Sequence, residues 1–546
     1  MTEPIIASES ITPLSIGSLP ALPTQSATYY AQGQWRHGTF VDDLHALART
    51  AADQPAYINV RTLLGGSVTV TFGELARHVE QFAAVLRTRG VRPGDVVAWQ
   101  LPNWWESGAL WLACVRVGAV ALSLPPGTGA REREIMMTGT RARLFIASDH
   151  DATDGCADAS VLRLGELLLD ADLAVPLSVA ERPAVHADSV CQVLCTSGTT
   201  GRAKAVLHTH NTRYAALRAA LPHLPQNAVT AAASTLTHAI GLIFNLLSPL
   251  ATGRPSVFTD THDTAVWLDL LARHRVNCLL AAPRTLGELV DAQRAKPRDL
   301  GELRQVTSVA APLPEPVAAR VRRFLCPRLV RFYGMTEAGT VMATSPQDAS
   351  ASAGRGLGRP VRGTRLRLTE TDDPGAGLLH VRGPGLCRAM FDLRTSRELW
   401  SPAHDEGWYD TGDLVATDAE GGLRYLSRAA DRIGWGYVIP VAEVESELLD
   451  HPGIAEAVIV GVPDAQGHEV ACAVVVPRGT PLTLDGIRSF LRARSMTEFY
   501  LPVRLALVPE LPRTALGKVR KEQVRRQIGS DTGGGRPCTT PPESRR

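Results

Sequence analysis

The sequence predicts an α/β protein with a large N-terminal domain of parallel α/β sheets, a β-rich subdomain and a small, mobile α+β C-terminal domain. Three observations lead to this prediction. Short apolar strands alternate with helical patterns from about residue 70 to residue 280, which is typical of parallel sheets covered by helices. Glycine and proline become frequent between short strands after residue 355. Strands and helices then mix in the last structured part of the chain.

The first helix with a clear start follows Thr71. Thr71 and Glu74 have the spacing of a capping box, in which each side chain accepts a hydrogen bond from the other residue's backbone N–H. Apolar residues recur at helical spacing up to Leu86, and Gly90 ends the helix. Helices are also predicted at 109–117 and 132–137. Strands are predicted at 96–101, 119–122, 144–146, 190–195, 231–233, 256–258 and 278–280.

The C-terminal part has a different pattern of predicted strands and helices. Short strands at 365–368 and 379–381 belong to the predicted β-rich subdomain. They are followed by a helix at 441–449, strands at 457–460 and 471–476, and a helix at 484–492. The predicted domains are a disordered lead-in at 1–28, a large domain at 29–429 with its β-rich subdomain at about 355–425, a small lid domain at 430–528 and a disordered tail at 529–546.

Length and charge exclude several classes of protein. A chain of 546 residues is too long for one hydrophobic core, so it should form two or more domains. A net charge of +2 gives no overall positive electrostatic field that would attract nucleic acid. The longest apolar stretches are too short to form an integral membrane segment. Nine scattered cysteines fit reduced thiols. A signal peptide needs a basic N-terminal region, and no Lys or Arg precedes Arg36. We therefore expect a cytoplasmic protein.

The stretch from Thr196 to Lys204 is rich in glycine and hydroxyl residues. Glycine lets the backbone approach a ligand closely, and free N–H groups, hydroxyls and one lysine suit a polyphosphate. The spacing is not that of a Walker A loop, in which lysine directly follows the second glycine. Taken alone, the stretch fits a flexible surface loop equally well.

Four motifs in order resemble the adenylate-forming superfamily of acyl- and aryl-CoA synthetases, peptide-synthetase adenylation domains and beetle luciferases. Thr196–Lys204 is similar to T-S-G-T-T-G-x-P-K, with Ala203 in place of proline. Residues 333–337 read Y-G-M-T-E, residues 408–414 read W-Y-D-T-G-D-L and residues 511–518 read L-P-R-T-A-L-G-K. The resemblance covers nearly all of residues 40–526.

This resemblance implies that a carboxylate attacks the α-phosphate of ATP to give an acyl-adenylate and pyrophosphate. Because both reactants are anionic, the site must supply positive charge and oriented donors. The resemblance implies that Glu337 binds Mg²⁺, Thr336 contacts the α-phosphate, Tyr333 stacks on adenine, Asp413 accepts from the ribose hydroxyls and Lys518 is catalytic. The residues expected to bind the nucleotide are Thr196, Ser197, Gly198, Thr199, Thr200, Gly201, Lys204, Ala311, Pro312, Tyr333, Gly334, Asp413 and Arg428.

The acid pocket of the superfamily is lined by the segment that contains His238 and by the segment before Pro312. His238 is expected at the pocket wall, although a lone histidine is more often a packed structural residue. Amino-acid-activating relatives carry an aspartate where this chain has Ala239, so a simple carboxylic acid is favoured. Val309 and Ala310 replace two usual glycines and would reshape the pocket. The sequence leaves aryl, alicyclic and medium-chain acyl groups as alternatives for the acid.

The hinge region departs from the superfamily pattern. Ser427 replaces a glycine, and either Ala430 or Asp431 occupies the hinge position. The following loop is one residue short, and Trp435 would narrow the path of the thiol. CoA is the expected acceptor, with a carrier-protein phosphopantetheine arm or an amine as alternatives. A catalytically weak nucleotide- or acyl-binding protein is the alternative of another class.

Overall fold

A computed structural model describes residues 22–151, 153–156, 159–178, 185–197, 203–345, 356–371, 376–417, 422–429, 433, 439, 441–463, 469–479, 481–494, 496, 500–514 and 517–530. The chain divides into two compact units. The first contains Met1–Leu313, Val317–Arg367 and His380–Thr411. The second contains Pro314–Pro316, Leu368–Leu379 and Gly412–Arg546. The predicted domain boundaries stay a prediction.

The strands of the described chain are β1 Pro55–Arg61, β2 Gly66–Thr71, β3 Val96–Gln100, β4 Val120–Ser123, β5 Ala142–Ala147, β6 Ser160–Arg163, β7 Val190–Ser197, β8 Ala203–Thr209, β9 Thr230–Ala232, β10 Ser256–Thr259, β11 Cys278–Ala281, β12 Gln305–Ser308, β13 Leu329–Met335, β14 Gly339–Ala343, β15 Arg359–Pro360, β16 Arg365–Glu370, β17 Ala376–Arg382, β18 Ala389–Asp392, β19 Glu398–Trp400, β20 Tyr409–Thr417, β21 Leu423–Arg428, β22 Ile454–Pro463, β23 Glu469–Pro477 and β24 Arg504–Leu507.

The helices are α1 Ser26–Ala31, α2 Phe40–Thr50, α3 Phe72–Thr88, α4 Trp105–Val117, α5 Ala130–Thr140, α6 Leu164–Leu173, α7 His210–Ala220, α8 Ala239–Gly241, α9 Ser248–Thr252, α10 Thr264–Arg273, α11 Pro283–Ala295, α12 Glu315–Phe324, α13 Val441–Leu449, α14 Leu484–Ala493 and α15 Lys521–Ser530. A π-helical turn, Leu242–Leu247, joins α8 to α9. No helix in the described part of the chain is long and apolar enough to span a bilayer.

Two large sheets organise the first unit. One has eight strands in the order β19-β18-β8-β7-β4-β3-β5-β6, and the other has nine in the order β15-β14-β13-β12-β11-β9-β10-β1-β2. The neighbouring strands from β7 to β6 pair in parallel, whereas β8, β18 and β19 extend that sheet with antiparallel pairs. The predicted fold class is therefore confirmed, with antiparallel strands added to the parallel ones.

Local sequence explains the long helix α3. The predicted capping box is present, since Thr71 accepts from the Glu74 N–H and Glu74 accepts from the Thr71 N–H. The apolar face of α3 joins the largest core of the first unit, which also includes every apolar side chain of α4 and strands of both large sheets. A short helix begins at Ser26, so the end of the predicted lead-in is helical.

The second unit has its own core around a three-stranded sheet in the order β22-β23-β24. Alternate residues of β22 point to opposite faces, as the two-residue period of a strand requires. Ile459 packs with α13 and α14 in one cluster. Val458 and Val460 pack with Val524 of α15 in another. A separate sheet has the order β16-β17-β20-β21.

Candidate active site

The glycine-rich stretch joins two paired strands. β7 and β8 are antiparallel, and Thr196 lies opposite Lys204 in their register. Thr196, Ser197 and Lys204 therefore lie on the two strands that flank the glycine-rich stretch, whereas Gly198, Thr199, Thr200 and Gly201 lie outside the described residues. Lys204 is half-buried.

A tight turn carries the Y-G-M-T-E motif. Tyr333 and Gly334 lie near the end of strand β13, and the chain reverses so that Met335 pairs with Gly339. A Cβ on Gly334 would collide with the carbonyl oxygen of Gly339, so the close approach of the two strands requires glycine here. Thr336 and Glu337 form the half-buried tip of this turn.

Three contacts hold the tip of the turn in place. The Nε2 atom of His208 lies 3.0 Å from the Thr336 carbonyl oxygen. The Cys387 N–H donates to the Glu337 carbonyl oxygen at 2.6 Å. The Tyr409 hydroxyl donates to Glu337 Oε1 at 3.3 Å. The structure thus joins the second and third motifs at one carboxylate, and it adds His208 and Cys387, which the sequence did not single out.

Asp413 is a buried acid that pairs with an arginine. Asp413 on β20 lies opposite Arg428 on β21, and Arg428 Nε is 3.0 Å from Asp413 Oδ1. The Asp413 side chain is only 4% exposed. A buried carboxylate keeps its charge only when it is paired, so Arg428 supports the ionised form of Asp413.

Lys518 lies at the end of a small hairpin. Arg513 forms a bridge with Val519, and the Thr514 N–H donates to the Lys518 carbonyl oxygen at 2.7 Å. Gly517 has a φ of +78°, which glycine adopts without strain. The Lys518 side chain is exposed. The Arg513 guanidinium donates to the Gly517 carbonyl oxygen at 2.6 Å and also pairs with Glu456, 57 residues earlier in the chain.

The two predicted pocket segments adopt unusual backbone conformations. His238 precedes the short helix α8 and the π-helical turn, and π-helical turns often occur at functional sites. In that turn the buried Asn245 side chain bonds both backbone groups of Ala232 at 2.9 Å. Ala310 has a φ of +71°, a left-handed conformation that favours glycine. Ala311 and Pro312 follow it and are exposed.

The hinge predictions cannot be compared with the structure at most positions. Ala430, Asp431 and Trp435 lie outside the described residues. Ser427 is buried on β21.

The chain matches two family descriptions that cover most of its length. Residues 44–391 match the family described as AMP-binding enzyme, and residues 443–518 match the AMP-binding enzyme C-terminal domain. The chain belongs to the AMP-binding enzyme family. The predicted family is therefore confirmed, and this AMP-binding enzyme is an ATP-dependent, AMP-forming ligase that activates a carboxylic acid.

Relatives of this AMP-binding enzyme match along nearly their whole length. The medium-chain fatty-acid–CoA ligase of Escherichia coli K12 is 28% identical, with 92% of each chain covered. The salicyl-AMP ligase / salicyl-S-ArCP synthetase of Mycobacterium tuberculosis is 30% identical, with 96% of each chain covered. The crystal structure of ATP-bound MatB from Rhodopseudomonas palustris is 25% identical, with a TM-score of 0.78 over 90% of this chain and 100% of that one.

The donor set around Glu337 fits a magnesium ion. Among the side chains that the structure describes, no group of three or more His, Cys, Asp or Glu residues could enclose a metal ion. Mg²⁺ in phosphoryl-transfer sites is commonly bound by only one or two carboxylates together with substrate phosphates. The half-buried carboxylate of Glu337 in this AMP-binding enzyme therefore suits Mg²⁺ that binds together with ATP.

Most of the described thiols of this AMP-binding enzyme are buried. The eight described cysteines are free, and seven of them are buried. Burial raises the pKa of every one of them, and for Cys195 on β7 it does so to about 12. Because the thiolate is the nucleophilic form of cysteine, these side chains are unreactive at neutral pH.

Proposed function

We propose that this enzyme adenylates an aryl or medium-chain carboxylic acid and transfers the acyl group to the thiol of CoA. The observation that carries the proposal is the contact of the Tyr409 hydroxyl with Glu337, since it joins two motifs at the carboxylate assigned to Mg²⁺. The names of relatives support the reaction class, because they include a medium-chain fatty-acid–CoA ligase and a salicyl-AMP ligase.

In the first half-reaction a carboxylate oxygen bonds to the α-phosphorus of ATP. The bond from that phosphorus to the bridging oxygen breaks, and pyrophosphate leaves. We assign the Thr336 hydroxyl to the α-phosphate and the Lys518 ammonium to the carboxylate and α-phosphate together. Lys204, with Thr196 and Ser197, is assigned to the β- and γ-phosphates. Donors and cations that face the developing charge lower the barrier most when they are already oriented.

The nucleoside is assigned to a separate set of residues. Asp413 accepts from the two ribose hydroxyls, a role that suits an ionised carboxylate. Arg428 supports that ionised state at 3.0 Å. Tyr333 is assigned to the adenine face, and the exposed Ala311 and Pro312 to its edge.

Glu337 is assigned as the protein ligand of Mg²⁺. Its Oε1 accepts from Tyr409, which leaves Oε2 as the assigned ligand atom and fixes the plane of the carboxylate. When bound, Mg²⁺ supplies positive charge to the phosphate oxygens that carry the leaving charge.

The acid is assigned as a carboxylic acid without an ammonium group. Ala239 begins helix α8 at the position where an amino acid would need a carboxylate partner. An unpaired ammonium in an enclosed pocket is strongly disfavoured. His238, directly before Ala239, is assigned to the pocket wall. The methyl group of Ala310, which replaces a hydrogen, reduces the space available beside the acyl chain.

In the second half-reaction the acceptor thiol loses its proton to solvent and its sulfur bonds to the acyl carbon. The bond from that carbon to the AMP oxygen breaks, and AMP leaves. A carrier-protein phosphopantetheine arm is the second candidate acceptor, because the salicyl-S-ArCP synthetase matches this chain over 96% of both lengths. The reduced state of the eight thiols favours a cytoplasmic location.

The test is ATP–pyrophosphate exchange with a panel of aryl, medium-chain fatty and amino acids. We expect exchange with an aryl or medium-chain acid and none with amino acids. Purified product mixtures then receive CoA, a phosphopantetheinylated carrier protein or an amine, and mass spectrometry identifies the conjugate. Exchange with no acid would overturn adenylation. Exchange followed by transfer only to the carrier protein or amine would overturn CoA as the acceptor.

A further inference from the structure

His208 is a buried histidine at the far end of strand β8 from the glycine-rich turn. It is 0% exposed, and it follows Lys204 by four residues. One ring nitrogen, Nε2, lies 3.0 Å from the carbonyl oxygen of Thr336. The other, Nδ1, lies 3.0 Å from the hydroxyl oxygen of Thr212. The imidazole thus links β8, helix α7 and the turn that carries Glu337.

The partners determine where the imidazole proton lies. A carbonyl oxygen can only accept, so Nε2 must carry the hydrogen. Burial and the nearby Arg213 guanidinium lower the pKa of His208 well below 6.5, so the ring is neutral. Nδ1 is therefore left as an acceptor for Thr212, whose hydroxyl also lies 3.1 Å from the Thr209 carbonyl oxygen. Because the Thr212 hydroxyl has one hydrogen, it can donate either to Nδ1 or to the Thr209 carbonyl oxygen, whereas the Nε2–H bond to Thr336 is made in either case.

The hydrogen bond acts on the backbone of two proposed site residues. His208 holds the Thr336 carbonyl, and the Cys387 N–H holds the next carbonyl, that of Glu337, at 2.6 Å. With two successive carbonyls fixed, the peptide planes cannot rotate freely. The directions of the Thr336 and Glu337 side chains are then set by the backbone.

We propose that His208 is a positioning residue that aims Thr336 and Glu337 and keeps them in register with the strand that carries Lys204. This inference rests on the proposed function, since it needs Thr336 and Glu337 to contact the phosphates and Mg²⁺. It assigns His208 no contact with substrate. A residue that positions a metal ligand typically affects activity by about 10- to 100-fold.

Three substitutions at this one position separate positioning from packing. In His208→Gln the amide nitrogen can reach the place of Nε2 and donate to Thr336. In His208→Asn the amide reaches only the place of Nδ1, so it can contact Thr212 but not Thr336. His208→Leu fills the volume without either bond. If His208 positions the turn, glutamine restores function and asparagine does not.

The measurements are kcat, KM for the acid and the Mg²⁺ concentration that gives half-maximal rate, using an acid that the wild-type enzyme turns over. We expect His208→Asn and His208→Leu to lower kcat about 10- to 100-fold and to raise the half-maximal Mg²⁺ concentration, with the KM for the acid changed less than threefold. His208→Gln should stay within about threefold of wild type in kcat.

Controls distinguish the possible failures. His274→Leu changes a partly buried histidine elsewhere in the first unit and should leave all three parameters unchanged. If the three His208 variants lose activity equally, in step with their thermal unfolding, His208 only packs and the inference is wrong. Wild-type kinetics in His208→Leu would also overturn it. A wild-type enzyme without exchange activity would instead contradict the proposed function.

Discussion

The turn that carries Thr336 and Glu337 and the hairpin that carries Lys518 differ in the exposure of their functional side chains and in the contacts that hold them. The first is held by His208, Cys387 and Tyr409, of which His208 and Tyr409 lie 128 and 72 residues from their partners in the chain. The second is shaped by the bridge between Arg513 and Val519 and by an ion pair of Arg513 with Glu456, and its lysine is exposed. Thr336 and Glu337, which are assigned to the α-phosphate and Mg²⁺, are thus half-buried and held by distant contacts, whereas the lysine assigned to catalysis is exposed.

The largest effect should come from the exposed side of this comparison. We expect Lys518→Ala to slow adenylation on the order of 10²- to 10³-fold, because it removes a cation assigned to the charge of the transition state. The free energy of unfolding should not change, since the side chain is exposed. Single-turnover formation of the acyl-adenylate and chemical denaturation measure the two quantities.

Lys521 provides the matched control. It lies three residues further on, and its ammonium pairs with Glu445 at 2.8 Å and donates to the Ile459 carbonyl oxygen at 3.2 Å. Lys521→Ala should cost up to about 1 kcal/mol of stability and leave the adenylation rate unchanged. Near-wild-type adenylation by Lys518→Ala would show that the comparison is wrong on its functional side.

A second prediction tests whether burial, rather than location in the first or second unit, holds a site residue in place. Asp413 lies in the second unit with Lys518, but its side chain is buried against Arg428. Asp413→Asn should raise the KM for ATP about tenfold, the equivalent of one lost charge-assisted hydrogen bond, with a smaller change in kcat. Steady-state kinetics at varied ATP give both values.

Asp410→Asn is the control for that measurement. Asp410 is exposed on the same strand β20, so its substitution should leave the KM for ATP unchanged. Equal effects of the two substitutions would remove the ribose assignment from Asp413.

The third prediction concerns the pH dependence of stability at the fixed turn. His208 stays neutral in the folded protein, because burial and then Arg213 lower its pKa well below 6.5. Below about pH 6.5 the unfolded chain therefore takes up a proton that the folded chain does not, and the free energy of unfolding falls with decreasing pH. The contribution is at most about 1.4 kcal/mol per pH unit.

Denaturation of wild type and His208→Gln from pH 7.5 to 5 tests this sign. Other histidines with lowered pKa values, His78, His223 and His274, contribute in both proteins and cancel in the difference. Wild type should lose more stability than His208→Gln as the pH falls. Parallel curves would mean that His208 is protonated in the fold.

The smallest effect is expected where the backbone of the first unit is strained. Ala310 has a φ of +71°, which costs a residue with a Cβ about 1–2 kcal/mol. Ala310→Gly removes that cost but adds roughly 0.5–1 kcal/mol of conformational entropy, so a net gain of about 0.5–1 kcal/mol is expected. Urea denaturation measures it.

Ala281→Gly is the control, and it should change the free energy of unfolding in the opposite direction. Ala281 lies in strand β11 with ordinary strand conformation and is buried, so glycine there should destabilise the protein by about 1 kcal/mol. Destabilisation by both substitutions would show that Ala310 is not strained.

Local features were predictable from the sequence because their causes lie within a few residues. The capping box of Thr71 and Glu74 is confirmed, and helix α13 has the predicted bounds, Val441–Leu449. The helix predicted at 109–117 instead begins at Trp105. Its first N–H bonds the side chain of Asn59, 46 residues earlier, and no pattern within the helix indicates this cap.

The same distinction applies to the site. Motif spacing indicated Thr336, Glu337 and Lys518, and their roles stay predictions. It could not indicate His208, because a histidine on an apolar strand gives no signal until the fold shows which carbonyl faces it. The pairing of Tyr409 with Glu337 was hidden for the same reason, although both residues lay within recognised motifs.

The burial of the described cysteines affects whether the enzyme's own acyl-adenylate can acylate them. An acyl-adenylate is a mixed anhydride that acylates any thiolate within reach, including one on the protein that made it. The eight described cysteines have pKa values raised by burial, so almost none of their sulfur is present as thiolate at neutral pH. The described cysteines therefore offer the enzyme's own intermediate almost no thiolate nucleophile, which limits self-acylation at these residues.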